Sequence, residues 1–135
     1  MRIVVVEDNP ADFRLFKEAL TFLGIAADIC HFPDGVTAAA AIRAEQAPWK
    51  PPPDLVFLDL NMPRVSGFEV LELLRSTPDC AAVPVAVFTS SQAPSDADRA
   101  AKLNADRFLR KPTSLREFFD VVEGTIRELA SPATP

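Results

Sequence analysis

The feature that most constrains this chain is the rhythm of its apolar residues. Short runs without helical spacing alternate with longer segments that have it. Ile3–Val6, Asp28–Phe32, Leu55–Leu58, Val83–Phe88 and Arg107–Leu109 read as strands, the fourth opening beside Pro84, where a proline is tolerated, and the fifth brief and near an edge. Between them, Phe13, Phe16, Leu20 and Leu23 recur near helical spacing after Pro10 and stop at Gly24. Asp34 is placed to cap a helix over Val36–Ala44, and Ser66 one that runs to about Arg75. Asp96–Leu103 reads as a short polar helix, with Ser95 or the Thr89-Ser90-Ser91 run as its cap. Ser114 caps a last helix with Leu115, Phe118, Phe119, Val122, Ile126 and Leu129 among its apolar positions. The Pro-rich stretch Ala47–Pro53 cannot be helix and reads as a stiff loop.

Five strands alternating with five helices imply a parallel sheet with helices on both faces: an α/β, doubly wound, three-layer (βα)5 sandwich. At 135 residues the chain suits one domain, expected over 1–130, with a frayed tail at 131–135. The net charge of −5 argues against a nucleic-acid or anionic-membrane partner. No apolar run reaches the length of a spanning helix, and the start lacks a signal-peptide cleavage site, so a cytoplasmic location is expected. Cys30 and Cys80 stand alone and read as small buried thiols.

In open α/β sheets, sites form beyond the carboxyl ends of the strands. There the first strand delivers Glu7 and Asp8, the third Asp59, the fourth Thr89, Ser90 and Ser91, and the fifth Lys111 and Pro112. The flavodoxin-like strand order 2-1-3-4-5 sets the first and third strands side by side, which would bring Glu7, Asp8 and Asp59 into one shallow pocket flanked by Thr89 and Lys111. Carboxylates ~5 Å apart at an effective dielectric of ~20 repel by roughly 3 kcal/mol per pair. Such a cluster suits a hard cation such as Mg²⁺. A lysine and a hydroxyl beside it suit phosphoryl transfer onto a carboxylate, with Asp59 as nucleophile. Glu7 and Asp8 read merely as helix-terminal acids would leave Asp59 unexplained.

Glu7-Asp8, Asp59 within "DLNMPRVSG", Thr89-Ser90 and Lys111-Pro112 together resemble the receiver domain of two-component response regulators, the CheY-like fold, over nearly the whole chain. The resemblance implies Asp59 as phosphoacceptor, Asp8 as direct Mg²⁺ ligand, Glu7 acting through water, and Asn61 offering its backbone carbonyl to the metal. It implies Lys111 as the phosphate-pairing cation, and Thr89 and Phe108 as a switch pair, with Met62-Pro63 and Gly67 in the turn after the acceptor. It also implies a sensor histidine kinase as donor, a downstream protein as receiver of the signal, and a role as a switch rather than an enzyme with an external metabolic substrate. "VEDNPAD", "DLNMP" and the Pro-rich loop are similar to the small stand-alone receivers paired with bacterial phytochrome kinases.

Two rival classes fit less well. A haloacid-dehalogenase-like phosphatase needs an acid two residues after its nucleophile, where this chain has Asn61. A flavodoxin-like FMN carrier needs a phosphate loop where Glu7-Asp8 would repel one. Trp49, Phe118 and Phe119 stay open. Trp49 either anchors its own loop or meets a partner. Phe118 and Phe119 are adjacent on one helix, so both cannot face the core. One of the two is left for a partner or a homodimer, on the face of the fourth helix, fifth strand and fifth helix. His31 reads as a half-exposed strand residue without a catalytic role.

Overall fold

The structure, a computed structural model, describes residues 1–130. The tail expected at 131–135 lies outside the described residues. The strands are β1 (Arg2–Val6), β2 (Asp28–Phe32), β3 (Leu55–Leu58), β4 (Val85–Thr89) and β5 (Arg107–Arg110). The helices are α1 (Pro10–Leu23), α2 (Gly35–Arg43), α3 (Gly67–Ser76), α4 (Pro94–Lys102) and α5 (Leu115–Leu129), with a short 3₁₀ turn at Pro78–Cys80 that the apolar pattern does not signal. The strands form one parallel sheet in the order β2-β1-β3-β4-β5. This is the flavodoxin-like arrangement.

Alternate residues of each strand feed opposite layers, as the two-residue repeat of a strand requires. Ile3, Val5, Leu55, Phe57, Ala86 and Phe88 pack with Phe16 and Leu20 of α1 and Phe118, Val122 and Ile126 of α5. Val4, Val6, Val56, Leu58 and Val85 pack with Ala38 and Ile42 of α2 and Val70, Leu71 and Leu74 of α3. Both faces are covered, so the central strands are apolar without alternation.

Local chemistry places the helix ends. Asn9 accepts the N–H groups of Ala11 and Asp12 at the start of α1, and Gly24 closes that helix at φ 68°. Asp34 caps α2, Ser114 caps α5, and Ser66 with Glu69 forms a reciprocal capping box on α3. The start of α4 differs from expectation. It begins at Pro94, not Asp96, with Ala93 at the cap and no side-chain cap bond, so Ser95 lies inside the helix. Proline's fixed φ suits the first helical position, and its missing N–H leaves one fewer donor to satisfy there.

The Pro-rich loop packs inward. Trp49 is 1% exposed and stacks on Phe32 with ring centroids 5.7 Å apart. The Arg2 guanidinium donates to the carbonyls of Pro48, Pro51 and Pro52. Trp49 is therefore a loop anchor, not a partner contact. Phe118 is buried and packs on Phe88, while Phe119 is half-buried against the exposed ring of Phe22. The freer of the two rings thus faces α1, not α4 and β5. Cys30 and Cys80 are free thiols, Cys80 buried and Cys30 partly so.

Candidate functional site

The sheet register carries on one residue past the strands and assembles the site. Val6 sits opposite Leu58, and the next amide, Asp59 N–H, donates to Val6 O at 3.0 Å. On the other side of β1, Glu7 N–H donates to Phe32 O at 3.0 Å. Between β4 and β5, Lys111 N–H donates to Thr89 O at 2.8 Å. Glu7, Asp59, Thr89 and Lys111 therefore leave a backbone pinned by its neighbouring strand.

Glu7, Asp8 and Asp59 each turn a carboxylate oxygen to a common point, all within 4.8 Å of one another. Glu7 and Asp59 are buried, and Asp8 is exposed. Asp59 Oδ1 accepts its neighbour's amide, Leu60 N–H, at 2.8 Å, which leaves Oδ2 to face the Lys111 ammonium at 3.5 Å. Lys111 Nζ lies 2.6 Å from Glu7 Oε1 and 2.8 Å from Asp12 Oδ2. Burial raises the Glu7 pKa to about 8, with Asp59 repulsion adding to it. Lys111 opposes the rise without cancelling it, because its one charge is divided among three acids. Burial alone would lower the Lys111 pKa, but its hydrogen bonds to Asp12 and Glu7 carry it well above the usual lysine range.

Thr89 is fully buried at the end of β4, and its hydroxyl accepts Ser91 N–H at 3.2 Å, which leaves the hydroxyl hydrogen to donate. Ser91 bonds the Asp96 carboxylate and accepts Ala93 N–H, so the Thr89–Ser91 run organises the entry to α4. Phe108 is opposite Val87 in the ladder and half-buried against the group formed by Leu60, Phe68, Val87 and Ala100. The Arg110 guanidinium stands 5.5 Å from its ring centroid and also donates to Ser91 O. Asn61 is exposed in the turn two residues past Asp59. Gly67 opens α3 against that turn. A Cβ there would fall 2.1 Å from Asp59 O and 2.8 Å from Leu60 Cα, so no side chain fits without moving the backbone that carries Asp59.

Glu7, Asp8, Asp59 and Lys111 thus converge as the strand-tip reading expected, and Thr89 joins them through its backbone carbonyl, which accepts Lys111 N–H. Two contributors escaped that reading. Asp12, in the first turn of α1, binds Lys111; its signal is an acid four residues after Asp8, one helical turn into the chain that leaves the site. His31 bonds Glu7 O through Nε2 at 2.8 Å and stacks on Phe13 at 3.7 Å, which steadies the Glu7 backbone. Nothing in its strand context singles it out.

Comparison with known proteins agrees with this geometry. The family model described as "Response regulator receiver domain" matches residues 3–123. Response regulator Rcp1 of Synechocystis sp. is 35% identical over 124 residues, covering 90% of this chain and 84% of that protein. A probable methanogenesis regulatory protein, FilR2 of Methanothrix harundinacea, is 34% identical over 121 residues, covering 90% and 78%. Among solved structures, the phosphorylated cyanobacterial phytochrome response regulator RcpA superposes with a TM-score of 0.85 at 32% identity, covering 98% of this chain and 96% of its own. The Mn²⁺-bound form of Rcp1 gives 0.83 at 34% identity, covering 99% and 98%. No helix among the described residues is long and apolar enough to cross a membrane.

Proposed function

The chain belongs to the response regulator receiver family, and from that premise we propose that it acts as a phosphorylation switch, taking a phosphoryl group from a partner kinase's phosphohistidine onto Asp59. The observation that carries this reading is Asp59 itself. It is a buried carboxylate at the tip of a central strand, with one oxygen held by Leu60 N–H and the other turned toward an ammonium. An Asp59 carboxylate oxygen attacks phosphorus, the bond from phosphorus to the imidazole nitrogen breaks, and the electron pair leaves with the imidazole. Water later attacks the phosphorus of the acyl phosphate, the bond from phosphorus to the Asp59 oxygen breaks with its electron pair staying on the restored carboxylate, and inorganic phosphate leaves.

Lys111 is already within reach of the oxygens that gain negative charge in this transfer. Thr89 offers its hydroxyl hydrogen to a phosphoryl oxygen from the neighbouring strand. The donor set fits Mg²⁺, being oxygen-only, acidic and open on the Asp8 side, and Mn²⁺ in the Rcp1 structure supports a divalent ion here. Asp8 and Asp59 would hold it directly, with the Asn61 carbonyl, and Glu7 through water. The bound ion would supply neutralisation of phosphoryl charge.

The state of Asp59 is read through Thr89 and Phe108. Thr89 drawn toward a phosphoryl oxygen loosens the packing above β5, and the half-buried Phe108 ring fills the space, which changes the surface beside α4. The message passes to a downstream protein or a second copy in the cytoplasm. The phytochrome response regulators among the structural relatives support a bacteriophytochrome kinase as donor.

Acetyl phosphate with Mg²⁺ should add one phosphoryl group by intact mass, and Asp59→Asn should abolish it. Undiminished phosphorylation of Asp59→Asn would overturn the assignment.

A further inference from the structure

We propose that Asp12, a residue outside the acidic cluster, is a positioning residue for phosphoryl transfer, holding the Lys111 ammonium at the distance a phosphoryl group on Asp59 requires. The inference rests on the functional reading of Asp59 above. An ammonium has three N–H donors. Two of those of Lys111 are taken up at full ion-pair distance, by Glu7 at 2.6 Å and Asp12 at 2.8 Å. The third reaches toward Asp59 across 3.5 Å, beyond the usual span of a charged N–H···O bond. A phosphoryl oxygen carried by Asp59 stands farther out than the carboxylate oxygen, so it would meet this third donor with the lysine already in place.

Asp12 is suited to the task because its own position is fixed. Its backbone N–H is tied to the Asn9 cap in the first turn of α1, and that helix packs on the sheet through Phe16, Ala19 and Leu20. Glu7 cannot do the same alone. Its carboxylate converges with Asp8 and Asp59 at the acidic cluster, whereas Asp12 is not one of the three clustered acids. Asp12 is therefore the partner that can hold Lys111 throughout the cycle. Preorganising the cation saves the reorganisation it would otherwise undergo at the moment of transfer.

The test is a double-mutant cycle on phosphorylation by acetyl phosphate at saturating Mg²⁺. Asp12→Asn keeps the volume and the backbone cap but removes the charge, and should slow phosphorylation roughly five- to tenfold. Loss of an acid would attract an anionic donor more strongly, so this slowing runs against simple charge steering. In a Lys111→Ala background, the same change should have no further effect. The ¹⁵N signal of the Lys111 ammonium, a readout that a role in folding alone would not move, should shift in Asp12→Asn while the melting temperature holds. Equal slowing in both backgrounds, an unchanged or faster rate, or an unshifted ammonium signal would overturn the inference while phosphorylated wild type leaves the functional reading intact. A wild type that takes no phosphoryl group on Asp59 would remove both.

Discussion

Glu7 and Lys111 form a 2.6 Å ion pair in which both side chains are less than one-tenth exposed. Yet burial still holds Glu7 toward its neutral form. A carboxyl whose folded pKa is raised binds more protons folded than unfolded, so its contribution to stability is full below the unfolded value and is lost as pH rises through about 8. Metal-free protein should therefore melt at progressively lower temperature from pH 4.5 to about 8, and Glu7→Gln should flatten that slope. A metal site needs ionised carboxylates, so stabilisation by millimolar Mg²⁺ should grow over the same interval. Thermal melts with and without Mg²⁺ at several pH values check both halves.

Asp8 is the exposed member of the acidic cluster. Asp8→Asn should relieve repulsion and raise metal-free stability by less than about 1 kcal/mol, since exposed charges are well screened. It should also remove most of the Mg²⁺-induced rise in melting temperature. A full Mg²⁺ response in Asp8→Asn would show that the ion binds elsewhere.

Thr89→Ala should leave phosphorylation of Asp59 largely intact and disconnect it from the surface near β5. The ring signals of Phe108 should shift when beryllofluoride is added to the wild type, and much less in Thr89→Ala. Partner binding that still responds fully to phosphorylation in both Thr89→Ala and Phe108→Ala would place the coupling in other residues.

Gly67→Ala should destabilise, although alanine is the better helix former. The new Cβ meets the carbonyl of Asp59, a backbone atom that cannot turn aside. A cost of about 1–3 kcal/mol is expected, together with slower phosphorylation, because the turn that shifts is the one that aims Asp59. Urea titration and the acetyl phosphate assay measure the two effects.

Trp49→Ala should cost about 3–5 kcal/mol by leaving a cavity under Phe32. Trp49→Phe should cost far less. It keeps a ring to stack, and it removes an indole N–H that is buried without a hydrogen-bond partner. Neither change should alter phosphorylation of Asp59, since the loop is tied to Arg2 at the opposite end of β1 from Glu7.

The five strands, the five helices, their order and the residues at the strand tips were legible in the sequence, although the 3₁₀ turn at Pro78–Cys80 was not. Asn9, Asp34, Ser66 and Ser114 start their helices through bonds spanning a few residues, and Gly24 ends α1 by its own backbone freedom. A strand buried on both faces announces itself by an unbroken apolar run, and the residue after the run is the one at its tip. Glu7, Asp59 and Thr89 could be named for that reason, and Lys111 by its place after the brief edge strand β5, with the register tying their backbones together. What only the tertiary structure decided depends on how helices rotate and which surfaces meet. Adjacent residues on a helix point about 100° apart, so the packing of α5 on the sheet chose Phe118 for the core and left Phe119 to Phe22. Trp49 became an anchor because Phe32, at the end of β2, lies against its ring. Asp12 reaches Lys111, 99 positions further along the chain, only because α1 and the end of β5 flank the same pocket. Such contacts arise from the closing of the fold, and a local pattern, such as the acid one helical turn past Asp8, does not name the partner.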